Sequence, residues 1–318
     1  MNDRMTDITA IGEVLIDLTQ FDVNEANVPL FAANPGGAPA NVAVAASRLG
    51  ARTAFVGKVG ADSFGAYLRR VLSDNGVSIS RMCTGGGPTT MAIVTVDDTG
   101  ERSFQFVRGA DCALMPEEVD ETLIEESKFL HFGSVSLTRG IARSATIHAA
   151  RTARKKGVLV SYDPNYRPAL WNTERDAVEW MTLPLPLVDV IKLSEEELPL
   201  LTGSSDLNEG SRKLAEQGIS LVLVTLGGAG SFCRWKDESF TVPGVPVRVA
   251  DTNGAGDTFF GAVLSRLSRR GQNPLEGLER SELEEILTYA NRAAAVTCSR
   301  SGAIPAMPTA AELEGGQI

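Results

Sequence analysis

The sequence DTNGAGDTFFG occupies residues 251–261 and places a carboxylate, Asp257, directly after a glycine-rich turn. Apolar residues at helical spacing follow, which predicts a helix that begins at the turn. Because Gly254, Ala255 and Gly256 have little or no side chain, their backbone N–H groups can approach a ligand closely. Those groups lack partners within the helix, and the helix dipole adds positive charge at the same end. The stretch therefore predicts an anion site suited to a phosphate.

An aspartate beside a phosphate site suits an enzyme that transfers a phosphoryl group to a hydroxyl. The amides would hold the charge that develops on the transferred group, and Asp257 would take the proton of the attacking hydroxyl. The alternative interpretation is a helix start that an aspartate caps after a glycine turn. The stretch alone leaves both interpretations open.

The composition of the chain excludes several classes of protein. Its 318 residues are 43% hydrophobic and 22% charged, which suits one large α/β domain with a small addition. The net charge is −10, and the densest basic stretch, Arg151–Lys156, ends a helical pattern before Gly157, where cations favour the helix dipole. We therefore expect no nucleic-acid partner.

The cysteines, the N-terminus and the histidines narrow the class further. The four cysteines are scattered without a CxxC pair, which argues against a zinc site and a disulfide framework. The N-terminus lacks the apolar core of a signal peptide, and no segment approaches the roughly 20 apolar residues of a membrane span. We expect a cytoplasmic protein with no membrane partner. His131 and His148 are the only histidines, and His131 is expected to be a strand residue rather than a catalyst.

Short apolar runs alternate with helical patterns along the chain, which predicts a single α/β domain over residues 1–318 with a mainly parallel sheet covered on both faces. The predicted strands are Ile8–Leu18, Ala54–Val59, Phe129–Phe132, Val158–Tyr162, Val188–Leu193 and Leu221–Leu226. The predicted helices are Ala40–Leu49, Phe64–Asn75, Ile141–Lys156, Thr173–Met181, Leu207–Gln217 and Leu283–Thr297. Such sheets bind ligands beyond the carboxyl ends of their strands.

Two stretches, about residues 17–35 and 89–109, break this alternation and read as extended chain, with a polar turn at Asp97–Gly100. We expect them to pair as a small antiparallel β-sheet beside the main domain. A small sheet hinged over the strand ends would be a lid that keeps water away from a phosphoryl transfer. The alternative is a decoration of the sheet edge that does not move.

A second glycine motif, NPGGAPANVAVAA, occupies residues 34–46. Gly36 and Gly37 permit a tight turn whose amides face outward, and Pro39 suits the first turn of a helix. Asn41 would lie on that first turn and point its amide towards whatever the glycines approach. The motif predicts either hydrogen bonds to a polyhydroxylated ligand or a well-made helix start.

The two glycine motifs, in this order and spacing, resemble the paired signature of the ribokinase-like (phosphofructokinase-B) family of sugar kinases. The resemblance runs from about Ile8 to Pro308, and within the family it is closest to bacterial and plant fructokinases. It implies a three-layer αβα fold with a small β-sheet lid. The supporting segments are GEVLID at 12–17, PGGAPAN at 35–41, LHFGS at 130–134, YDPNYR at 162–167 and KLSEEE at 192–197.

The resemblance implies roles for the residues of both motifs. Asp257 matches the general base, and Gly254–Gly256 match the anion hole. Asp17, expected at the end of the first strand, matches a residue that binds sugar hydroxyls, with the motif of Gly36, Gly37 and Asn41 beside it. A carboxylate suits this role because it can accept hydrogen bonds from two neighbouring hydroxyls.

Further sugar-side residues follow from the same resemblance. Asp163, Asn165 and Arg167 follow a predicted strand, and the arginine matches a contact to the sugar or the transferred phosphate. The alternative for Arg167 is a salt bridge within the loop. Arg108, at the end of the second lid stretch, is a further candidate for contact with sugar or phosphate.

The resemblance also implies where ATP and its metal ions bind. Thr225, Gly227 and Gly230 match the nucleotide loop, and Asn291 matches a position near the adenine. Ser194 and Glu197 match the family's Asn-x-x-Glu motif for magnesium and phosphate, with serine in place of asparagine. Ser194 could equally cap a helix over Glu195–Leu201. The implied site for a monovalent cation, with K⁺ as the candidate, consists of Asp251, Asn253, Thr297, Arg300 and Gly302.

These observations predict an ATP- and Mg²⁺-dependent kinase that phosphorylates D-fructose at O6. A kinase for 2-keto-3-deoxygluconate, ribose, another sugar or a nucleoside is the alternative within the family. A sugar- or nucleotide-binding regulator without catalysis is the alternative outside it, and a dehydrogenase is disfavoured because no GxGxxG follows the first strand. A homodimer through the lid is expected, since an exposed sheet edge favours pairing.

Overall fold

The computed structural model describes residues 5–96 and 102–315. Its strands, in chain order, are β1 (Thr6–Ile11), β2 (Leu15–Val23), β3 (Pro29–Gly36), β4 (Thr53–Val56), β5 (Lys58–Val59), β6 (Val77–Ser78), β7 (Cys83–Thr84), β8 (Met91–Val96), β9 (Arg102–Val107), β10 (Ser127–Gly133), β11 (Leu159–Asp163), β12 (Val190–Ser194), β13 (Leu221–Thr225), β14 (Gly230–Trp235) and β15 (Glu238–Pro243). Its α-helices are α1 (Ala38–Arg48), α2 (Ser63–Asp74), α3 (Glu121–Glu125), α4 (Ile141–Lys155), α5 (Glu174–Thr182), α6 (Glu197–Thr202), α7 (Leu207–Ala215), α8 (Ala255–Ser268), α9 (Arg280–Cys298) and α10 (Ala310–Glu314).

The central sheet has the order β15-β14-β13-β12-β11-β10-β1-β4-β6. Pairing is parallel from β13 to β6, and β14 and β15 extend one edge in antiparallel fashion. The mainly parallel sheet is thus confirmed. The antiparallel edge was not predicted, because its second strand, Glu238–Pro243, carries polar residues and a proline that resemble a loop.

Both faces of the central sheet are covered by helices. On one face, Phe259 and Phe260 of α8 pack with Val42 of α1 and with Ile8 and Phe129 of the sheet. On the other face, the alanines of α4 pack against Leu130, Phe132 and Val160. Two covered faces explain why the central strands read as continuous apolar runs. The three-layer αβα architecture is therefore confirmed.

The predicted strand Ile8–Leu18 is wrong as a single strand. It breaks at Gly12, whose φ of +149° lets the chain leave the central sheet after β1 and enter a second sheet as β2. Asp17 therefore lies in the second sheet and not at the end of the first central strand. The predicted strand Ala54–Val59 breaks in the same way at Gly57 into β4 and β5. An apolar run with a glycine inside it does not reveal such a change of direction.

The small sheet forms from the two stretches that were predicted to form a lid, in the order β3-β2-β8-β9. The β2–β3 and β8–β9 pairs are antiparallel hairpins, but β2 pairs with β8 in parallel, so the expectation of a purely antiparallel sheet is wrong. The pairing of β2 with β8 is parallel because a long crossover, and not a hairpin turn, connects β3 to β8 along the chain. The turn predicted at Asp97–Gly100 lies outside the described residues. Among the residues the structure describes, no helix has the length and apolarity to cross a bilayer.

Candidate active site

The site is organised by the first turn of α8. Gly254 precedes this helix in a left-handed conformation, with φ +76°, and the helix begins without a side-chain cap from that residue. Asp257 lies in the first turn and does not cap its own helix. Its Oδ2 accepts a hydrogen bond from Asn41 Nδ2 at 2.8 Å, and its Oδ1 accepts one from Asn165 Nδ2 at 3.3 Å. The capping interpretation of Asp257 is therefore replaced by a buried carboxylate that two amides hold in place.

The two amides that bind Asp257 come from different segments, and the backbone conformation of each segment is unusual. Asn41 lies on the first turn of α1, whose start at Gly37 has φ +110°. A Cβ at Gly37 would lie 2.6 Å from the carbonyl oxygen of Glu13, so only glycine fits there. Asn165 follows β11 and itself has φ +44°, a conformation that asparagine tolerates better than most residues.

The surroundings of Asp257 affect its pKa in opposite directions. Burial raises its pKa, while the bond from Asn41 and the charges of Lys192 and Arg167 lower it, and the charge of Glu197 raises it again. The cations therefore offset part of the cost of a buried carboxylate. A carboxylate so placed is suited to act as a proton acceptor.

Asp17 and Arg167 face the same region from the small sheet and from the loop after β11. Burial raises the pKa of Asp17 to about 6, with Arg167 lowering it and Asp257 raising it. Asp17 belongs to β2, where Leu15 pairs with Gly36, and its carboxylate fills the space that a Cβ on Gly36 would need. The predicted sugar-side residues Asp17, Gly36, Gly37, Asn41, Asn165 and Arg167 are thus brought together around Asp257.

Arg108 and Asp163 each form a buried ion pair. Arg108 is 2% exposed in its side chain and pairs with Asp111 at 2.6 Å. It also donates to Thr138 Oγ1 at 2.9 Å. Asp163 is buried and pairs with Lys192 at 3.0 Å. Their expected contact with sugar or phosphate stays a prediction.

Two residues near the site were not singled out from the sequence, Glu13 and Lys192. Glu13 Oε1 accepts a hydrogen bond from the backbone of Ala38 at 3.0 Å, and burial raises the pKa of Glu13 to about 7. Lys192 reaches the first turn of α8, since a Cβ on Gly256 would lie 2.8 Å from its Nζ. The available signal was a charged residue inside an apolar run, in GEVLI for Glu13 and in VIKL for Lys192.

Ser194 and Glu197 form a reciprocal pair. The Ser194 N–H donates to Glu197 Oε2 at 2.8 Å, and the Glu197 N–H donates to Ser194 Oγ at 3.2 Å. This is the arrangement of a capping box at the start of α6. Glu197 Oε1 also accepts from the backbone of Tyr166 at 2.6 Å, which ties the loop after β11 to the end of β12. The capping interpretation of Ser194 therefore has direct support, and a magnesium role stays a prediction.

The predicted nucleotide loop is joined to the segment that follows β15. Thr225 ends β13, and its hydroxyl donates to the carbonyl of Leu193 at 3.3 Å. The N–H of Gly244 then bonds to the carbonyl of Ala229 at 3.0 Å, which brings the next loop alongside. Further along that segment, residues 246–250 and Ser299 line a groove with a volume of about 650 Å³. This lining loop was not predicted.

Within the nucleotide loop, Gly230 has φ +108°, and a Cβ there would collide with the backbone of residues 242–244. Gly227 also has a positive φ, of 54°, but it faces open space. Asn291, predicted near the adenine, donates through Nδ2 to the carbonyls of Val242 and Pro243, each at 3.1 Å. Its amide nitrogen therefore holds the end of β15 in place.

The residues of the predicted cation site lie close together, because the Asp251 N–H bonds to the Cys298 carbonyl at 3.2 Å and the Arg300 N–H bonds to the Thr297 carbonyl at 3.1 Å. Asp251 Oδ2 accepts hydrogen bonds from the Gly302 N–H at 3.0 Å and from Asn253 Nδ2 at 3.3 Å. Thr297 Oγ1 lies 3.0 Å from Thr258 Oγ1. Arg300 pairs with Glu312 at 2.7 Å. In residues 5–96 and 102–315 no cluster of three or more His, Cys, Asp or Glu side chains is placed to hold a metal ion.

The chain matches the pfkB family carbohydrate kinase over residues 5–310. It is 40% identical to fructokinase-1 of Oryza sativa subsp. japonica, with 98% of each chain covered. Among solved structures, fructokinase of Xylella fastidiosa with bound ATP superposes with a TM-score of 0.91 at 32% identity, with 97% of each chain covered. A double mutant of Vibrio cholerae O395 fructokinase, bound to fructose, ADP and potassium ion, superposes with a TM-score of 0.86 at 31% identity, with 99% of each chain covered.

The match spans both glycine motifs, the small sheet and the nucleotide loop. A glycine-started helix with a fixed carboxylate, next to a second glycine turn that presents Asn41, is the arrangement that the paired signature implied. The protein is a member of the pfkB family of carbohydrate kinases.

Proposed function

We propose that this protein is an ATP-dependent fructokinase that phosphorylates D-fructose at O6 and releases fructose 6-phosphate and ADP. The observation that carries the proposal is the carboxylate of Asp257, fixed by Asn41 and Asn165 at the first turn of α8 and faced by Asp17 and Arg167. The similarity to the rice and bacterial fructokinases supports fructose as the sugar.

The reaction follows from these positions. O6 of the sugar attacks the γ-phosphorus, the bond from that phosphorus to the bridging oxygen of ADP breaks, and Asp257 accepts the O6 proton. The N–H groups at Gly254–Gly256 and the positive end of α8 stabilise the charge on the transferred group. Asp17 and the backbone at Gly36–Gly37 hold the sugar hydroxyls, and Arg167 lies beside the path of the phosphoryl group.

The nucleotide is proposed to lie beside Thr225–Gly230, with its phosphates directed at α8. The open space at Gly227 fits a backbone that a phosphate or ribose approaches closely. Mg²⁺, bound mainly through ATP and water, supplies positive charge to the phosphates. The oxygen-rich turn at Asp251 and Asn253 suits K⁺, and potassium activation is part of the proposal.

The small sheet is proposed to close over the sugar as a lid and to form a homodimer with a second copy, in the cytoplasm. Its exposed apolar side chains support the dimer: Phe21 is 65% exposed, Val28 51% and Phe31 40%. Burying this patch in a partner would remove apolar area from water.

A coupled assay of ADP release tests the function. Fructose, glucose, mannose, ribose, 2-keto-3-deoxygluconate and adenosine are offered separately with ATP and Mg²⁺, with and without K⁺. The expected result is a kcat/KM for fructose far above the others. Preference for another acceptor would keep the kinase and reject fructose. Absence of turnover together with measurable sugar or ATP binding would favour the regulator.

A further inference from the structure

A buried ammonium group lies directly behind the predicted anion hole. Lys192, on β12, is 6% exposed, and its Nζ lies 3.0 Å from Asp163 Oδ2. The same nitrogen touches the first turn of α8, because a Cβ on Gly256 would lie 2.8 Å from it. A side chain at position 256 would therefore have to displace the ammonium group.

The groups that face Lys192 come from each element around it. Burial opposes its charge, but the carboxylates of Asp163 on β11, Glu197 on α6 and Asp257 on α8 outweigh burial and raise the pKa of Lys192. His131 on β10 is neutral, because burial and the charge of Lys192 together lower its pKa to about 3. Lys192 therefore stays charged and interacts electrostatically with three carboxylates.

Stability alone does not account for this arrangement. A buried ion pair is often no better for folding than apolar residues of the same volume, because desolvation offsets the attraction between the charges. The Asp163–Lys192 pair would serve the fold equally well without touching α8. The contact with Gly256 instead places positive charge against the backbone that the phosphoryl group approaches.

We propose that Lys192 is a positioning residue for phosphoryl transfer, whose ammonium group supports the Gly256 backbone from the protein interior and supplies positive charge behind the anion hole and beside Asp257. The proposal rests on the proposed function of that site. Lys192 does not touch the substrate; it acts through the first turn of α8. Charge held in place before the reaction stabilises developing negative charge without reorganisation.

Lys192→Met tests the proposal, because methionine has a similar length and no charge. We expect kcat to fall by at least about tenfold, while KM for fructose and for ATP stays within roughly twofold. The acidic limb of the kcat/KM profile should move upward by about one pH unit, since Asp257 loses a neighbouring cation. The other groups facing Asp257 are unchanged in this variant, namely Asn41, Asn165, Arg167, Glu197, Asp163 and Asp17.

A second variant keeps the test sharp if the first folds poorly. Lys192→Met combined with Asp163→Asn removes both charges of the 3.0 Å pair, and it should still show the lower kcat. Because loss of the Asp163 charge lowers the pKa of Asp257 while loss of Lys192 raises it, kcat and not the acidic limb is the measurement for this variant. Wild-type kcat in the double variant would overturn the proposal.

Lys128→Met is the matched control. Lys128 is also a buried strand lysine: it pairs with Asp7 at 3.1 Å and donates to the Ser268 carbonyl at 2.5 Å, at the opposite end of α8. It should lower stability without moving the acidic limb, and an equal shift in this control would also overturn the proposal. Turnover of fructose by the wild-type protein is measured in the same experiment and tests the proposed function separately from the role of Lys192. Whichever sugar the wild type phosphorylates serves for the variants.

Discussion

At the scale of single residues, the side chain of Asp257 owes its orientation to other parts of the chain. Asn41 and Asn165 hold its two oxygens from α1 and from the loop after β11. A single donor would leave the carboxylate free to rotate about its Cβ–Cγ bond, whereas two donors fix its plane. Removal of the negative charge need not disturb the fold, since an asparagine there can keep the shape.

We expect Asp257→Asn to lose turnover by roughly a hundredfold to ten-thousandfold, the usual contribution of a general base. Binding of fructose and ADP, followed by calorimetry, should stay close to that of the wild type. The melting temperature should fall only slightly, because the loss of one accepted hydrogen bond is partly offset by the removal of a buried charge. A kcat near the wild-type value in a folded variant would contradict the role of Asp257 as the base.

Glu13 introduces a pH dependence of stability. Burial raises the pKa of Glu13 from 4.5 to about 7, although the nearby charge of Arg108 acts in the opposite direction. The folded state therefore binds a proton more tightly than the unfolded state, and stability falls as the pH rises from about 4.5 through about 7. The shift corresponds to a loss on the order of 3 kcal/mol.

Glu13→Gln should remove this part of the pH dependence. The difference in unfolding free energy between about pH 5 and about pH 8, measured by urea titration, should shrink by about 2–3 kcal/mol. The amide oxygen of glutamine can still accept the hydrogen bond from Ala38, so the start of α1 is preserved. A variant with the pH dependence of the wild type would show that Glu13 is ionised in the folded state.

At the scale of elements, the sequence predicted helices and strands with regular apolar spacing, but it did not predict where the chain changes direction. The helix at Ile141–Lys156 and the strand at Phe129–Phe132 were recovered because their apolar spacing is regular. The break at Gly12 and the parallel pairing of β2 with β8 depend on the direction that the chain takes after a turn. The spacing of apolar residues carries no information about that direction. The site divides in the same way. The motif glycines, Asp257 and Asn41 were predictable from the sequence, whereas the ion-pair partners of Arg108 and Asp163 depend on the three-dimensional fold.

The nucleotide loop between β13 and β14 permits a matched test of its glycines. Gly230 has φ +108° and no room for a Cβ, whereas a Cβ on Gly228 would meet nothing within 4 Å. Gly230→Ala should cost about 1–3 kcal/mol and raise KM for ATP severalfold, with little change in KM for fructose. Gly228→Ala, in the same loop, should leave both values near the wild type. Equal effects of the two variants would contradict a backbone role specific to Gly230.

At the scale of the whole molecule, the small sheet joins the main domain through charged and backbone contacts. Glu13 accepts a hydrogen bond from the Ala38 N–H at the point where the β2–β3 hairpin leaves the main domain and returns to it. Arg108 pairs with Asp111 where the chain returns to the main domain after β9. The carbonyl of Pro88 accepts from the N–H of Ala110 at 2.8 Å across the same base. The sheet is therefore anchored at its base, while its far end carries exposed apolar side chains.

Those apolar side chains predict the behaviour of the proposed dimer. Phe21 lies at the irregularity of β2 between Gln20 and Asp22, and Phe31 of β3 pairs with Gln20; the two phenylalanines are 65% and 40% exposed. Replacing both with serine should convert a dimer into a monomer, because each buried aromatic ring contributes on the order of 2 kcal/mol to an interface. Light scattering on a sizing column would measure the mass across a range of protein concentrations. Leu183→Ser, which removes a 52% exposed leucine after α5, is the control and should leave the mass unchanged. A wild-type protein that is monomeric at every concentration would reject the dimer and leave the patch to another partner.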